Sequence, residues 1–258
     1  LPLLETRGVN VHFGGHHAVR DVDLDVEAGR ITALIGPNGA GKTTTFNVIT
    51  GLQEASSGRV VLEGKDINKL APHQRARRGI GRTFQRLEVF GSLSARENIL
   101  TAAEIHKSWA RDKSDPRAVT NEIIDRIGIS GVADDRVDAM PTGQARLVEL
   151  GRALATKPRV LLLDEPASGQ DEQETDAFAD LLLDLAADGM AILMVEHDVA
   201  LVMRVCSWIH VLDFGAILAV GTPEEIQRNE AVLEAYLGAA AEETSMHNAE
   251  LAAHADEL

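Results

Sequence analysis

The chain has a single cysteine, Cys206, among its 258 residues. This excludes an intramolecular disulfide and any multi-cysteine metal site, and the apolar setting fits a buried, inert thiol. Basic residues are in deficit. With 25 Lys and Arg against 40 Asp and Glu the formal net charge is −15, so the electrostatic footprint that holds DNA or RNA is not expected and no nucleic-acid partner is foreseen. A long hydrophobic run is missing too. The most apolar region, Ala191 to Val220, is broken by Glu196, His197, Asp198, Arg204, His210 and Asp213, and no segment is fit to span a bilayer. The opening Leu1-Pro-Leu-Leu4 is followed at once by Glu5 and Arg7, unlike a signal peptide; beginning on Leu rather than Met, the chain is expected to have been trimmed or processed. There is no internal repeat of the solenoid kind. A soluble, cytoplasmic protein is the expectation, and 45% hydrophobic residues suffice for one large domain, or a core carrying a small inserted subdomain.

What is present concentrates in Gly36 to Thr44, Gly-Pro-Asn-Gly-Ala-Gly-Lys-Thr-Thr. The apolar run Ile31-Thr-Ala-Leu-Ile35 precedes it and Thr45-Phe-Asn-Val-Ile49 follows, so the stretch reads as strand, glycine-rich loop, helix. G-x-x-x-x-G-K-[ST] in that context is a phosphate-binding P-loop: glycines let backbone N–H groups curl around phosphate oxygens, and the helix presents its positive end. The loop supplies the candidate nucleotide-binding residues Gly36, Asn38, Gly39, Gly41, Lys42, Thr43 and Thr44. Lys42 would neutralise the β- and γ-phosphates, and the Thr43 hydroxyl would ligate Mg²⁺.

Around this loop the pattern predicts an α/β core. Val22, Leu24 and Val26 alternate with Asp21, Asp23, Asp25 and Glu27, the period of a half-solvated antiparallel strand, and Arg59 to Glu63 reads as another. Ala95 to His106 and Val119 to Ile127 read as helices, with Asp115-Pro116 in a loop, so a helical subdomain is expected at about residues 87–140. Continuous apolar runs at Val160 to Leu163, Met190 to Val195 and Trp208 to Leu212 predict buried parallel strands. Thr222-Pro-Glu-Glu225 opens a helix by a capping box, and a second is expected from about Ala231 to Leu237. Residues 1–238 are thus expected as one domain, followed by a loosely held tail at 239–258.

The run Val160-Leu-Leu-Leu-Asp-Glu165 delivers two carboxylates to the end of a strand where open α/β sheets bind ligands. Asp164 fits a residue that holds Mg²⁺, and Glu165 fits a general base that polarises attacking water. With these motifs in place the chain resembles the ATP-binding cassette ATPases, the nucleotide-binding subunits of ABC transporters, from Glu5 to about Gly238. Phe13 stands where that family has its adenine-stacking aromatic, and Gln85 in Arg82-Thr-Phe-Gln85 matches the Q-loop glutamine. Met140-Pro-Thr-Gly-Gln144 stands at the L-S-G-G-Q signature, Ser168-Gly-Gln-Asp171 at the D-loop, and His197 at the switch histidine.

The resemblance implies a P-loop (RecA-like) ATPase core with an antiparallel β-subdomain and an inserted helical subdomain. It implies ATP and Mg²⁺ as cofactors, with Thr43, Gln85 and Asp164 at the metal and Lys42, Gln85, Glu165 and His197 in catalysis. It also implies that Thr142, Gly143 and Gln144, at the start of a helix, meet the γ-phosphate held by the P-loop of a second ATPase subunit, identical or similar. Two departures stand out: Pro141 and Thr142 replace the signature's serine and first glycine, and Gln170 replaces a D-loop leucine.

Phe13-Gly-Gly15, Gly81 to Gln85, Val89-Phe90, Gly221 to Ile226 and Ala235-Tyr-Leu-Gly238 together resemble the ATPase subunits of branched-chain amino acid importers. Such a subunit works at the cytoplasmic face of the membrane beneath two integral permease subunits and serves an extracytoplasmic substrate-binding protein indirectly. An ATP-binding regulatory or structural ABC protein with weak turnover, or a non-transport ABC ATPase, stays open at this point. The space between Phe46 and Ala139 has no room for the long coiled coil or zinc modules of DNA-repair relatives.

Overall fold

The acid-studded stretch around Leu24 lies in β2 (His16–Val26), which pairs antiparallel with β1 (Leu4–Phe13). On its other side β1 pairs with β4 (Ser57–Leu62), and β4 with the two-residue β5 (Lys65–Asp66). The computed structural model describes residues 2–110 and 113–236. Val22, Leu24 and Val26 turn inward and are fully buried, so the alternation of acids and aliphatics is the alternation of a sheet with one wet face.

A second sheet has the order β10, β9, β3, β8, β7, β6. Its parallel members are β3 (Ile31–Ile35), β6 (Ile80–Arg82), β7 (Val160–Asp164), β8 (Ala191–Val195) and β9 (Trp208–Asp213); β10 (Ala216–Gly221) is antiparallel to β9. Its central strands lack alternation because both faces are covered. Ile31, Leu161, Leu163 and Met194 enter a core shared with helices, whereas Leu34, Val160, Leu162 and Leu193 enter the core shared with the first sheet.

The helices are α1 (Lys42–Thr50), α2 (Pro72–Ala76), α3 (Ala95–Ala110), α4 (Pro116–Arg126), α5 (Thr142–Ala155), α6 (Glu172–Ala187), α7 (Val199–Val205) and α8 (Pro223–Gln227). Two boundaries differ from expectation. Pro116 is not in a loop but opens α4, because Asp115 accepts from the Arg117 N–H as the cap. The helix expected to end at His106 continues to Ala110. Strands β6 and β10 and the short α2 were not expected.

Helix α5 joins α3 and α4 in one layer, packed closely at Gly151. A Cβ on Gly151 would lie 2.8 Å from Ile99 Cδ1 and 2.9 Å from Ile127 Cδ1. The Thr222–Glu225 capping box forms as read. Residues 230–236 are helical; Leu237, Gly238 and the tail expected at 239–258 lie outside the described residues. Cys206 is buried, and burial pushes its thiol up to about 12, which makes it inert as expected. Among the described residues no helix is long and apolar enough to cross a membrane. The loops that follow β3, β7 and β8 gather at one edge of the second sheet, and the site lies there.

Candidate active site

At the end of β3 the chain turns at Gly36, where φ is 150° and a Cβ would land 1.9 Å from the Leu212 carbonyl oxygen. No side chain fits there. The Gly36 N–H faces the Tyr236 hydroxyl, a bond that opposes the upward push of burial on that phenol. Helix α1 starts without a side-chain cap, so its first-turn N–H groups, which have no intrahelical partners, are available to anionic oxygen. Lys42 is only 7% exposed, and its Nζ donates to the carbonyls of Gly36 at 2.6 Å and Pro37 at 2.9 Å. Burial lowers its pKa, and the nearby carboxylates of Glu165 and Asp164 oppose that shift. A phosphate oxygen would offer this ammonium the counter-charge its own loop lacks.

Strand β7 delivers Asp164 and Glu165 in opposite directions. Glu165 takes a left-handed backbone, φ 49°, a conformation costing about 1 kcal/mol or more in a non-glycine residue, and its N–H donates to the Val195 carbonyl at 2.8 Å. Its Oε1 accepts from Gln85 Nε2 at 3.0 Å and lies 3.0 Å from His197 Nε2. One carboxylate oxygen thus gathers side chains that follow three different strands. The loop bearing His197 is shaped by Glu196, whose buried carboxylate accepts from the N–H groups of Ala167, His197 and Asp198. Burial raises the Glu196 pKa, and those N–H groups oppose the shift. Asp164 turns the other way, 1% exposed, and its Oδ2 accepts from Arg82 Nη2 at 2.9 Å. Burial raises its pKa too, with Arg82 opposing.

Phe13, Asn38, Gly39, Gly41, Lys42, Thr43, Thr44, Gln85, Glu165 and His197 together line a cleft of about 300 Å³. Gly36 and Asp164 do not line it. His16, Ala18, Ala40 and Val195 also line it and were missed in the sequence. The signal for His16 was present: it is the cross-strand partner of Phe13 around Gly14-Gly15. The oxygen ligands on this wall are the Thr43 hydroxyl, the Gln85 amide and the Glu165 carboxylate, a set that suits a hard cation such as Mg²⁺, whereas Asp164, expected at the metal, is turned to Arg82 and does not line the cleft. Among the described residues no cluster of three or more His, Cys, Asp or Glu is placed to hold a metal, so an ion here would draw further ligands from phosphate and water.

Thr142, Gly143 and Gln144 are not on this cleft. They start α5, whose N-cap, Pro141, makes no side-chain cap bond. Thr142 is exposed, and a Cβ on Gly143 would meet the Glu174 carboxylate at 2.7 Å. The Gln170 Oε1 is buried without a hydrogen-bond partner. From its next turns α5 grips the segment around Gln85: Arg146 donates to the carbonyls of Phe84 and Gln85, and Glu149 Oε1 accepts from the N–H groups of Phe84 and Glu88, each at 3.2 Å. Burial raises the Glu149 pKa while these bonds and Arg146 oppose it. Arg146 and Glu149 were also missed; an acid set between Val148 and Leu150 in an apolar stretch was the available clue.

Comparison with known proteins adds to this geometry. A family model described as ABC transporter matches residues 19–168, and another, described as Branched-chain amino acid ATP-binding cassette transporter, matches residues 216–242. The high-affinity branched-chain amino acid transport ATP-binding protein BraF of Pseudomonas aeruginosa is 37% identical over 252 residues, 93% of this chain and 99% of that protein. The lipopolysaccharide export system ATP-binding protein LptB of Haemophilus influenzae is 36% identical over 238 residues, 92% of this chain and 98% of that protein. Among solved structures, a nucleotide-free ATP-binding cassette from an ABC transporter superposes with a TM-score of 0.83 at 30% identity, covering 92% of this chain and 99% of that chain.

Proposed function

This chain belongs to the ABC transporter family of ATP-binding proteins and is an ATPase, and we propose that it powers an importer of branched-chain or other hydrophobic amino acids. It works at the cytoplasmic face of the membrane, paired with a second ATPase subunit beneath two permease subunits, and an extracytoplasmic binding protein delivers the cargo. Two observations support that cargo: the name of BraF and the match of residues 216–242 to the branched-chain transporter model. The similarity to LptB supports a second reading, an exporter of a lipid-linked cargo.

The observation that carries hydrolysis is the Glu165 oxygen at 3.0 Å from both Gln85 Nε2 and His197 Nε2. Phe13 stacks on adenine, and Asn38, Gly39, Gly41, Lys42, Thr43 and Thr44 hold the phosphates. Glu165 takes the proton of a water that attacks the γ-phosphorus, His197 orients that water, and the bond to the ADP oxygen breaks. Thr43 and Gln85, with Asp164, would hold Mg²⁺, which would supply charge neutralisation at the phosphates. Thr142, Gly143 and Gln144 complete the site of the opposing subunit through the positive end of α5, so closure needs two subunits.

The test is copurification from membranes followed by reconstitution. Recovery of integral subunits that support ATP-dependent leucine uptake is expected. Recovery of permeases that move lipid instead would replace the importer by the exporter, and recovery of ribosomes or DNA would remove transport altogether.

A further inference from the structure

At the edge of the second sheet where β6 and β7 begin, opposite the edge that carries the P-loop, a cleft of about 290 Å³ opens between several segments of the chain. Lys65 reaches it from β5, Arg77 and Arg78 from just after α2, Trp109 from the last turn of α3, and Lys157 and Arg159 from the turn into β7. Five of the 25 Lys and Arg thus line one concavity in a protein of net charge −15. Among the described residues the one carboxylate on its wall is Glu63. Arg159 grips it with both ends of its fork, Nη2 donating to Oε2 at 2.5 Å, so the other cations face no acid there.

The fold accounts for the arginine next to this group. Arg75 is buried, and its guanidinium donates to the carbonyls of Val48, Ile49, Asn68 and Leu70, which ties α2 to the end of α1. It does not account for Lys65, Arg77 and Arg78, which are exposed; among the described residues none of their side chains has a hydrogen bond or an ion pair. Arg77 lies over the Trp109 ring, with Cζ 5.9 Å from the centroid, and His106 meets that ring edge-on at 4.7 Å. Cations gathered in a concave, partly apolar wall focus a positive potential, and their repulsion opposes folding until an anion is present.

We propose that this cleft binds a small soluble polyphosphate, an anion of two or more linked phosphates, held by Lys65, Arg77 and Arg78 against the Trp109 ring. Three cations without acid partners exceed the charge of one phosphate, and the cleft has room for more than one. Guanidinium forks suit phosphate because they donate two parallel bonds to it. The site is independent of the P-loop and of the transport reading.

The test uses the full chain with two background substitutions. Trp208→Phe leaves Trp109 as the one tryptophan of the chain, and Lys42→Ala weakens anion binding at the P-loop. Inorganic tripolyphosphate is titrated at constant ionic strength while Trp109 fluorescence is read. A saturable change is expected, and orthophosphate should bind about tenfold or more weakly. Adding Lys65→Gln with Arg78→Gln removes two charges at exposed positions and leaves Arg77 over the indole. That chain should bind tripolyphosphate about tenfold or more weakly still, the scale of a lost charge-assisted bond. A Trp109 signal that does not respond, an affinity that survives loss of both charges, or equal affinity for orthophosphate overturns the proposal.

Discussion

Lys42 is 7% exposed and bonded to two carbonyls of its own loop, whereas Thr142 stands exposed at the uncapped start of α5. Around Lys42 most polar groups already have partners: Glu165 faces Gln85 and His197, Asp164 has Arg82, and Glu196 has three N–H groups. Near Thr142, α5 starts without a side-chain cap and the Gln170 amide oxygen is buried without a partner. The P-loop side is finished by its own chain. The signature side carries unspent hydrogen-bonding capacity, the pattern expected of a surface that another molecule completes.

The sharpest break on the finished side is Glu165→Gln. It should lower steady-state ATP hydrolysis by about 10²- to 10⁴-fold, the usual contribution of a general base, while nucleotide affinity stays near that of the parent. Phosphate release and equilibrium binding check the two parts, and unchanged turnover would remove Glu165 from the mechanism.

The finished side should also be the acid-sensitive one. His210 on β9 is paired beside Leu34 of β3, 4% exposed, with both ring nitrogens unpartnered. Burial lowers its pKa from 6.5 to about 4, and Asp25 only partly opposes this. The unfolded chain therefore binds more protons between those values, so stability is full above about 6.5 and is lost as pH falls toward 4. Urea unfolding at pH 7.5 and pH 5 should show His210→Leu losing roughly 2 kcal/mol less than the parent over that interval.

On the open side the expected effects are smaller and appear only with two subunits. Thr142→Val removes a hydroxyl that could donate to phosphate and should weaken ATP-dependent dimerisation about tenfold, read by analytical ultracentrifugation in the Glu165→Gln background. Monomer affinity for nucleotide should not change. Gln170→Leu removes the amide oxygen left for a partner to complete and should weaken dimerisation a few-fold, on the order of one net hydrogen bond. If either variant instead altered nucleotide binding by the monomer, the division between a finished and an open side would be wrong.

The same division marks what could be read from the chain in advance. The P-loop and the Asp164-Glu165 strand end are short local patterns on predictable elements, whereas His197 stood out only through the resemblance. Arg82 with Asp164 was not legible, because the pair is separated by 82 positions and only the β6–β7 register brings it together. Strand β6 escaped notice since it has three residues, one of them this arginine. Glu196 and Glu149 read as ordinary acids; their meaning lies in backbone N–H groups from other loops, which no side-chain pattern encodes. Pro116 was misplaced because a proline before a helical pattern can end a loop as well as open a helix.

Cys206 has a practical use. With a thiol pushed up to about 12, roughly one molecule in 10⁵ carries a thiolate at neutral pH, and that sulfur is buried. For maleimide chemistry the native chain is effectively blank. A cysteine placed at an exposed position such as Ser168 could carry a dye or spin label without background, and no mutation of the native core would be needed first.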